Sequence, residues 1–408
     1  MENMDPSLFI EKYNLILIRY SGEIWLKSTK VKMRMVNTLM NNITKMLNRA
    51  DIKFHKYQLS KDSSRIFYFF DNEDILKALF IIKKVFGVYS VSPALRTSNR
   101  IKNIKERTLE VAEKVLKKGE SFALRVKRSG VHDYTSQDVA VEVGAEIMEK
   151  LSNLNLSVDL TNPKKEIFIE IRNDFSYIFT EIFSNYWEGL PYNKKNKILA
   201  MDCGRIEDLL ASFLLMRRGV QILPVLFNIS DTEGLEENWR SNWNEVRRYI
   251  PSHKFAVYQL DLGSVMKKIL NQLDDKTYTC AICRLLRFDL SAKLTKQLDA
   301  FKKVKAFSDG LSLNNKNYCF DEVDLQSIAL NYLFSDHPIF TSIVALDSSE
   351  INNRITNISE NLKKHDYCKF KPENQEIDLK ELKGIYDSLD TNSFLQKCIH
   401  NIKEFDLS

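Results

Sequence analysis

Residues Arg125 to Ile147 read RVKRSGVHDYTSQDVAVEVGAEI, and the change of rhythm inside this stretch decides how the chain folds. Cations alternate with apolar residues up to Lys127, the period-two pattern of a strand from Phe122 to Lys127. Gly130 breaks that pattern. From Ser136 apolar residues return at helical spacing, and Thr135 stands three residues before Asp138, which is the signature of a capping box. A strand, a glycine turn and a capped helix make one unit of an α/β structure.

On that strand Arg125 and Lys127 point to one face, and Arg128 and His132 come round the turn to join them. Such a cluster suits phosphate contact, and Tyr134 offers a ring on which a base can stack. The same residues also read as a solvated strand edge, guarded against aggregation by its cations.

Outward from this stretch, strands are expected at Asn14 to Arg19 and Arg65 to Phe70, and helices at Ser28 to Arg49, Ile75 to Phe86 and Ile101 to Lys118. Short strands at Leu156 to Leu160, Glu166 to Ile171 and Tyr177 to Ile182 close the second unit. After the polar run Tyr192 to Lys197 the pattern becomes strand–helix alternation: Ile198 to Asp202, Glu207 to Arg217, Gln221 to Phe227. Such alternation predicts a doubly wound parallel sheet. The expected domains are therefore 1–78, 79–184, 185–350 and a helical extension, 351–408.

Bulk composition narrows the function less. The 408 residues hold 60 Lys+Arg against 54 Asp+Glu, so a net charge of +6 does not announce nucleic-acid binding and any RNA site must come from local clustering. No apolar run approaches the roughly 20 residues of a membrane helix, and Met1 to Phe9 lacks the basic and apolar regions of a signal peptide, which points to the cytoplasm. Six cysteines in such a chain suggest thiol chemistry or metal ligation rather than a disulfide framework. With only 12 glycines, few glycine-rich phosphate loops can be built.

The run RVKRSGVHDYTSQDVAVEVGAEI with the later VDLTNPKKEIFIEIR resembles the THUMP domain of tRNA-modifying enzymes. Ile18 to Lys27 (IRYSGEIWLK) is similar to the opening of the ferredoxin-like domain of the tRNA 4-thiouridine synthetase (tRNA sulfurtransferase) family. Glu188 to Pro191 and Ile198 to Val220 resemble that family's pyrophosphatase-type ATP region, the PP-loop. The resemblance implies N-terminal ferredoxin-like and THUMP α+β units followed by a doubly wound parallel-sheet PP-loop domain, akin to adenine nucleotide hydrolases. It also implies that Arg125, Lys127, Arg128 and His132 grip the acceptor end of tRNA.

The family's loop is Ser-Gly-Gly-x-Asp-Ser, in which small residues let backbone N–H groups approach phosphates and the carboxylate manages Mg²⁺. Here it is Cys203, Gly204, Arg205, Ile206, Glu207 and Asp208. Asp202, Glu207 and Asp208 place three carboxylates near a polyphosphate, answered by Arg205 alone. A like-charge contact near 4 Å costs roughly 1 to 4 kcal/mol, and a helix dipole returns about 0.3 to 1 kcal/mol. Weakened ATP binding is the expectation, and without the resemblance the loop is an ordinary strand-to-helix turn. Met201 and Asp202 fall just before the loop, Leu226 and Phe227 where the family holds adenosine, and Arg284 and Gly310 at its later nucleotide contacts.

Cys280 and Cys283 form a C-x-x-C at the start of a helix, where two thiolates at i and i+3 can share a metal or act as a dithiol. Cys368, followed by Lys369-Phe370-Lys371-Pro372, resembles a second cysteine motif of the family. The three are expected to be catalytic and metal-binding, with Glu207 as a further catalytic residue. The resemblance implies a cysteine-held iron–sulfur cluster; a zinc site with His365 and plain buried thiols remain open. Cys203, Cys319 and Cys398 read otherwise as structural.

The implied reaction is adenylation of the uridine O4 at tRNA position 8, then displacement of AMP by sulfur to give 4-thiouridine. Sulfide or a cysteine desulfurase would supply the sulfur, and two chains would pair to hold one tRNA. The alternative is a tRNA-binding paralogue whose ATP site has decayed.

Overall fold

The computed structural model describes residues 13–229, 234–316, 319–320, 322–333, 335–365, 367–375 and 378–407. They form two compact units, one ending at Gly189 and the other beginning at Leu190. Among the described residues no helix is long and apolar enough to cross a membrane.

The first unit runs β1 (Leu15–Tyr20), α1 (Gly22–Trp25), α2 (Thr29–Arg49), β2 (Lys56–Leu59), β3 (Ile66–Phe69), α3 (Asn72–Ile82) and β4 (Val88–Ser98). It continues with α4 (Ile101–Val115), β5 (Ser121–Ser129), α5 (Ser136–Lys150), β6 (Ser157–Val158), β7 (Lys165–Arg172), β8 (Phe175–Phe179) and β9 (Phe183–Ser184). All nine strands lie in one sheet, ordered β2-β3-β1-β4-β8-β7-β5-β6, with β9 beside β4. The α5 start carries the expected capping box, with Thr135 and Asp138 bonded reciprocally. In α2 the buried Val36, Leu39, Ile43, Met46 and Leu47 fall at helical spacing and lay one apolar stripe against the core.

The strand β4 was not among the expected elements. Its first part, from Val88 to Ala94, pairs with β1, and its last four residues, Leu95 to Ser98, pair with β8. Pro93 hides the strand in the sequence, because proline cannot donate to a ladder. It is tolerated in the gap between Val91, which pairs with β9, and Leu95, where pairing with β8 begins.

An ion network crosses the same sheet. Buried Glu170 on β7 accepts from Arg19 at 3.1 Å, Arg65 at 3.0 Å and Arg172 at 3.2 Å, and Arg172 also reaches Asp62 at 2.7 Å. Burial pushes the Glu170 carboxyl up, but the three guanidiniums outweigh it and bring it down to about 2.

The second unit runs β10 (Lys197–Asp202), α6 (Ile206–Met216), β11 (Gln221–Asn228), α7 (Leu235–Val246), β12 (Ala256–Asp261), α8 (Gly263–Leu270) and α9 (Thr279–Gln297). Then follow β13 (Val304–Ser308), α10 (Leu325–Leu333), β14 (Ile339–Phe340), α11 (Ser348–Ile358), α12 (Leu379–Ser388), α13 (Asn392–His400) and β15 (Lys403–Asp406). The sheet order is β14-β13-β10-β11-β12-β15, parallel except for β15. This is the doubly wound parallel sheet expected from the alternating pattern. The tail differs from a separate helical extension: Leu382, Leu395 and Ile399 join the same core as α9, and β15 covers the outer edge of β12.

Candidate functional site

The chain leaves β10 toward β11 and β12 on one side and returns on the other side as β13. In an open α/β sheet the crevice at the carboxyl ends of two such strands is where ligands bind. Asp202 to Asp208 follow β10 at that point, and Asp309 and Gly310 follow β13.

Buried Asp202 closes β10. Its Oδ1 accepts the Gly204 N–H at 2.8 Å, and its Oδ2 accepts the indole N–H groups of Trp239 at 2.7 Å and Trp243 at 3.1 Å. The two tryptophans stand one turn apart on α7, so that helix fixes the shape of the loop. Burial and the neighbouring Asp208 raise the Asp202 carboxyl above the usual range. Gly204 has φ +94°, and a Cβ there would lie 2.4 Å from Leu235 Cδ1. Only glycine suits that turn. Met201, Leu226 and Phe227 are buried at the ends of β10 and β11, with Leu226 directly beside Asp202.

Arg205 does not project outward. Its guanidinium folds back onto Asp208, at 3.1 Å through Nε and 2.5 Å through Nη2, and lies 3.7 Å from Asp309. Asp208 also accepts the Gly310 N–H at 3.0 Å and the Cys203 N–H at 3.3 Å. A Cβ at position 310 would sit 2.4 Å from the Asp208 nitrogen, so the end of β13 rests directly on the first turn of α6. Arg284 donates to both oxygens of Asp309 and to Asn331 at 2.5 Å. The sequence set Asp202, Glu207 and Asp208 against Arg205 alone. The fold adds Asp309 to the carboxylates and Arg284 and Arg287 to the cations. Asp309, Arg287 and the two tryptophans were missed; for Arg287 the helical spacing from Cys283 and Arg284 was the available signal.

Glu207, half-buried, lines a cavity of about 170 Å³ with Gly310, Ser312, Asn315, Lys316 and Lys364. Two ammonium groups and one carboxylate at a helix N-terminus suit a polyphosphate and its cation.

The thiols gather next to this loop. Cys280 and Cys283 lie in the first turn and a half of α9, and Cys368 interacts electrostatically with both. Burial raises all three thiols, Cys283 to about 12, with Arg287 opposing the rise at Cys283. Cys203 and Cys319, expected to be merely structural, belong to the same group. Their thiols hydrogen-bond one another, which together with burial and Asp208 raises Cys203 well above its ordinary value. Gln375 bonds Cys280 Sγ at 3.3 Å and also the Cys319 carbonyl. Cys398 lies apart, bonded to the Asp261 carbonyl at 3.4 Å. The donor type suits a cluster or zinc, yet among the described residues no three His, Cys, Asp or Glu side chains stand where they could hold a metal ion.

In the first unit Lys127 and Arg128 are exposed at the end of β5. Arg125 is engaged with Glu166 at 2.6 Å and lines a polar cavity of about 450 Å³ with Lys164 and Lys165. His132 is half-buried with Nε2 2.9 Å from the Asn173 carbonyl oxygen, and Tyr134 is anchored through its hydroxyl to the Asn99 carbonyl. Of the four residues singled out as RNA contacts, the fold thus leaves Lys127 and Arg128 exposed, the latter bonded to the Gly130 carbonyl at 3.4 Å, and engages Arg125 and His132 with neighbours.

Fold and site together define a class: a ferredoxin-like and THUMP sheet joined to a parallel-sheet domain of the PP-loop type. Residues 15–92 match the ThiI ferredoxin-like domain, 98–181 the THUMP domain and 194–383 the family described as thiamine biosynthesis protein (ThiI). Between them these matches take in most of the chain, which belongs to the tRNA sulfurtransferase, or 4-thiouridine synthetase, family.

Among similar proteins is a probable tRNA sulfurtransferase of Methanosarcina acetivorans, 29% identical over 86% of this chain and 82% of its own. Another, from Saccharolobus solfataricus, is 29% identical over 87% and 90%. The structure is similar to that of a 4-thiouridine synthetase solved with RNA and bound ATP, with TM-score 0.77 and 21% identity over 97% of this chain and 100% of that one. It is also similar to PH1313 from Pyrococcus horikoshii, with TM-score 0.62 and 26% identity over 83% and 97%.

Proposed function

We propose that this protein is an ATP-dependent tRNA sulfurtransferase that converts the uridine at tRNA position 8 to 4-thiouridine through an adenylated intermediate. The observation that carries this reading is the meeting, at the switch point of the second sheet, of a strand-to-helix loop with a group of five cysteines. Activation and sulfur delivery need one cleft, because a carbonyl oxygen leaves poorly until it carries an adenylyl group and the sulfur must then arrive at the same carbon.

In this reading the α6 N-terminus and the Glu207 cavity receive the phosphates and Mg²⁺. Gly204 and Gly310 let the loop pack closely against Leu235 and the first turn of α6, and Arg205 and Arg284 balance the carboxylates beneath. The thiols of Cys280, Cys283 and Cys368 carry or present the sulfur. An iron–sulfur cluster bound there would supply sulfide activation, but the described side chains do not converge as a preformed metal site. Lys127 and Arg128 contact the tRNA backbone.

Nucleoside mass spectrometry of unmodified tRNA, after anaerobic incubation with the protein, Mg-ATP and sulfide, tests the reading. The expected result is 4-thiouridine that is absent from the ATP-free control. Tight tRNA binding with no 4-thiouridine from sulfide or from a cysteine desulfurase would instead favour a binding protein.

A further inference from the structure

Cys280, Cys283, Arg284 and Arg287 follow one another at i, i+3, i+4 and i+7 on α9 and so share one face of an otherwise apolar helix. Ala281, Ile282, Leu285, Leu286 and Phe288 fill the core around that stripe. On the polar face the charges pair off selectively. Arg205 is bonded to Asp208 and Arg284 to Asp309, while Asp202 is satisfied by two indoles and a backbone N–H. Arg287 is 4% exposed, and among the described residues its Nε and Nη1 have no hydrogen-bond partner. Arg287 interacts electrostatically with Cys203, Cys283, Arg205 and Asp208.

A buried guanidinium with unpartnered N–H groups is costly, and such groups in a folded protein normally mark a place where an ion or solvent belongs. Arg287 stands one turn beyond Cys283 and Arg284 on α9 and interacts with Cys203 and Asp208 of the loop after β10. Arginine is suited to the task because it stays charged and its planar fork accepts small oxyanions and sulfur anions alike.

We propose that Arg287 is an anion-binding residue, holding a small anion at the junction of the phosphate loop and the cysteine group. The inference deepens the proposed sulfur-transfer reading and rests on it for the identity of the anion. Two sources share the chemistry: the pyrophosphate end of the nucleotide and hydrosulfide, the sulfur nucleophile itself.

The test is thermal unfolding of the full chain, anaerobically, with inorganic pyrophosphate or with sodium hydrosulfide, for the parent protein, Arg287→Met and Arg287→Lys. An anion bound only to the folded state raises Tm in proportion to the logarithm of its concentration. The parent Tm is expected to rise with at least one anion, and the rise to vanish in Arg287→Met. Arg287→Lys, which keeps the charge but not the fork, should weaken the apparent affinity about tenfold, and it carries the test if the methionine variant does not fold. A rise with pyrophosphate alone assigns the site to the nucleotide, and a rise with hydrosulfide alone assigns it to the sulfur nucleophile. No rise with either anion, or an equal rise in the parent and in whichever variant folds, overturns the inference. These readouts need no turnover, so a failure of the 4-thiouridine assay remains distinguishable from a failure of the anion site.

Discussion

Arg205 and Asp208 replace small residues of the family loop, and each tolerates burial because of the other. Breaking a buried pair from one side leaves an uncompensated charge and costs on the order of 3 to 5 kcal/mol, whereas removing both together is often nearly neutral. Arg205→Gly and Asp208→Ser are therefore each expected to lower Tm markedly. The double variant should recover most of the loss and, with its backbone N–H groups freed, bind Mg-ATP at least about tenfold more tightly. Denaturation and calorimetric titration of the three variants check this; strictly additive losses with unchanged ATP affinity would count against it. At this scale the sequence disclosed the altered loop itself. The resemblance placed Arg284 among the nucleotide contacts, but the sequence could not disclose that Asp309 stands beneath the loop as its partner, because that residue comes from a strand end that only the folded sheet brings there.

The elements were mostly legible where a single physical signal dominated. Apolar strands such as β1 and β3, the stripe of α2 and the capped start of α5 all declared themselves. The strands β4 and β15 did not: the first contains a proline and the second is a charged four-residue piece whose pairing is set by β12 rather than by its own pattern. The ion network centred on Glu170 ties β1, β3 and β7 together and gives an acid dependence whose sign follows from the lowered carboxyl. The stabilisation is complete above the unfolded value near 4.5 and is lost as pH falls toward about 2. Glu170→Gln should abolish that part of the acid limb while lowering stability at neutral pH by roughly 3 to 5 kcal/mol, since three guanidiniums lose their partner. Urea unfolding between about pH 2 and 7 reads both effects.

Over the whole molecule, the proposed RNA surface and the proposed nucleotide site belong to different compact units, and variants should separate them. Lys127→Ala combined with Arg128→Ala is expected to weaken tRNA binding. It should also reduce the slope of log affinity against log salt by about two, near 0.9 for each phosphate that is no longer neutralised, with Mg-ATP affinity unchanged. Filter binding across a salt series decides it, and an unaltered slope would remove these two residues from the RNA surface. The order of domains was readable because the period of the hydrophobic pattern changes after residue 197, whereas the sharing of one sheet by the first two modules was not, since no local pattern records which strands become neighbours.

That sharing makes β4 a gauge. A strand advances about 3.4 Å per residue and turns its side chains over at every step. Lengthening β4 by one residue would invert one module's faces relative to the other. Lengthening it by two would restore them about 6.8 Å further apart. The distance between what the ferredoxin-like and THUMP modules recognise is therefore adjustable only in whole steps of two residues, so a lineage matching a differently shaped RNA would have to move by a jump rather than by drift.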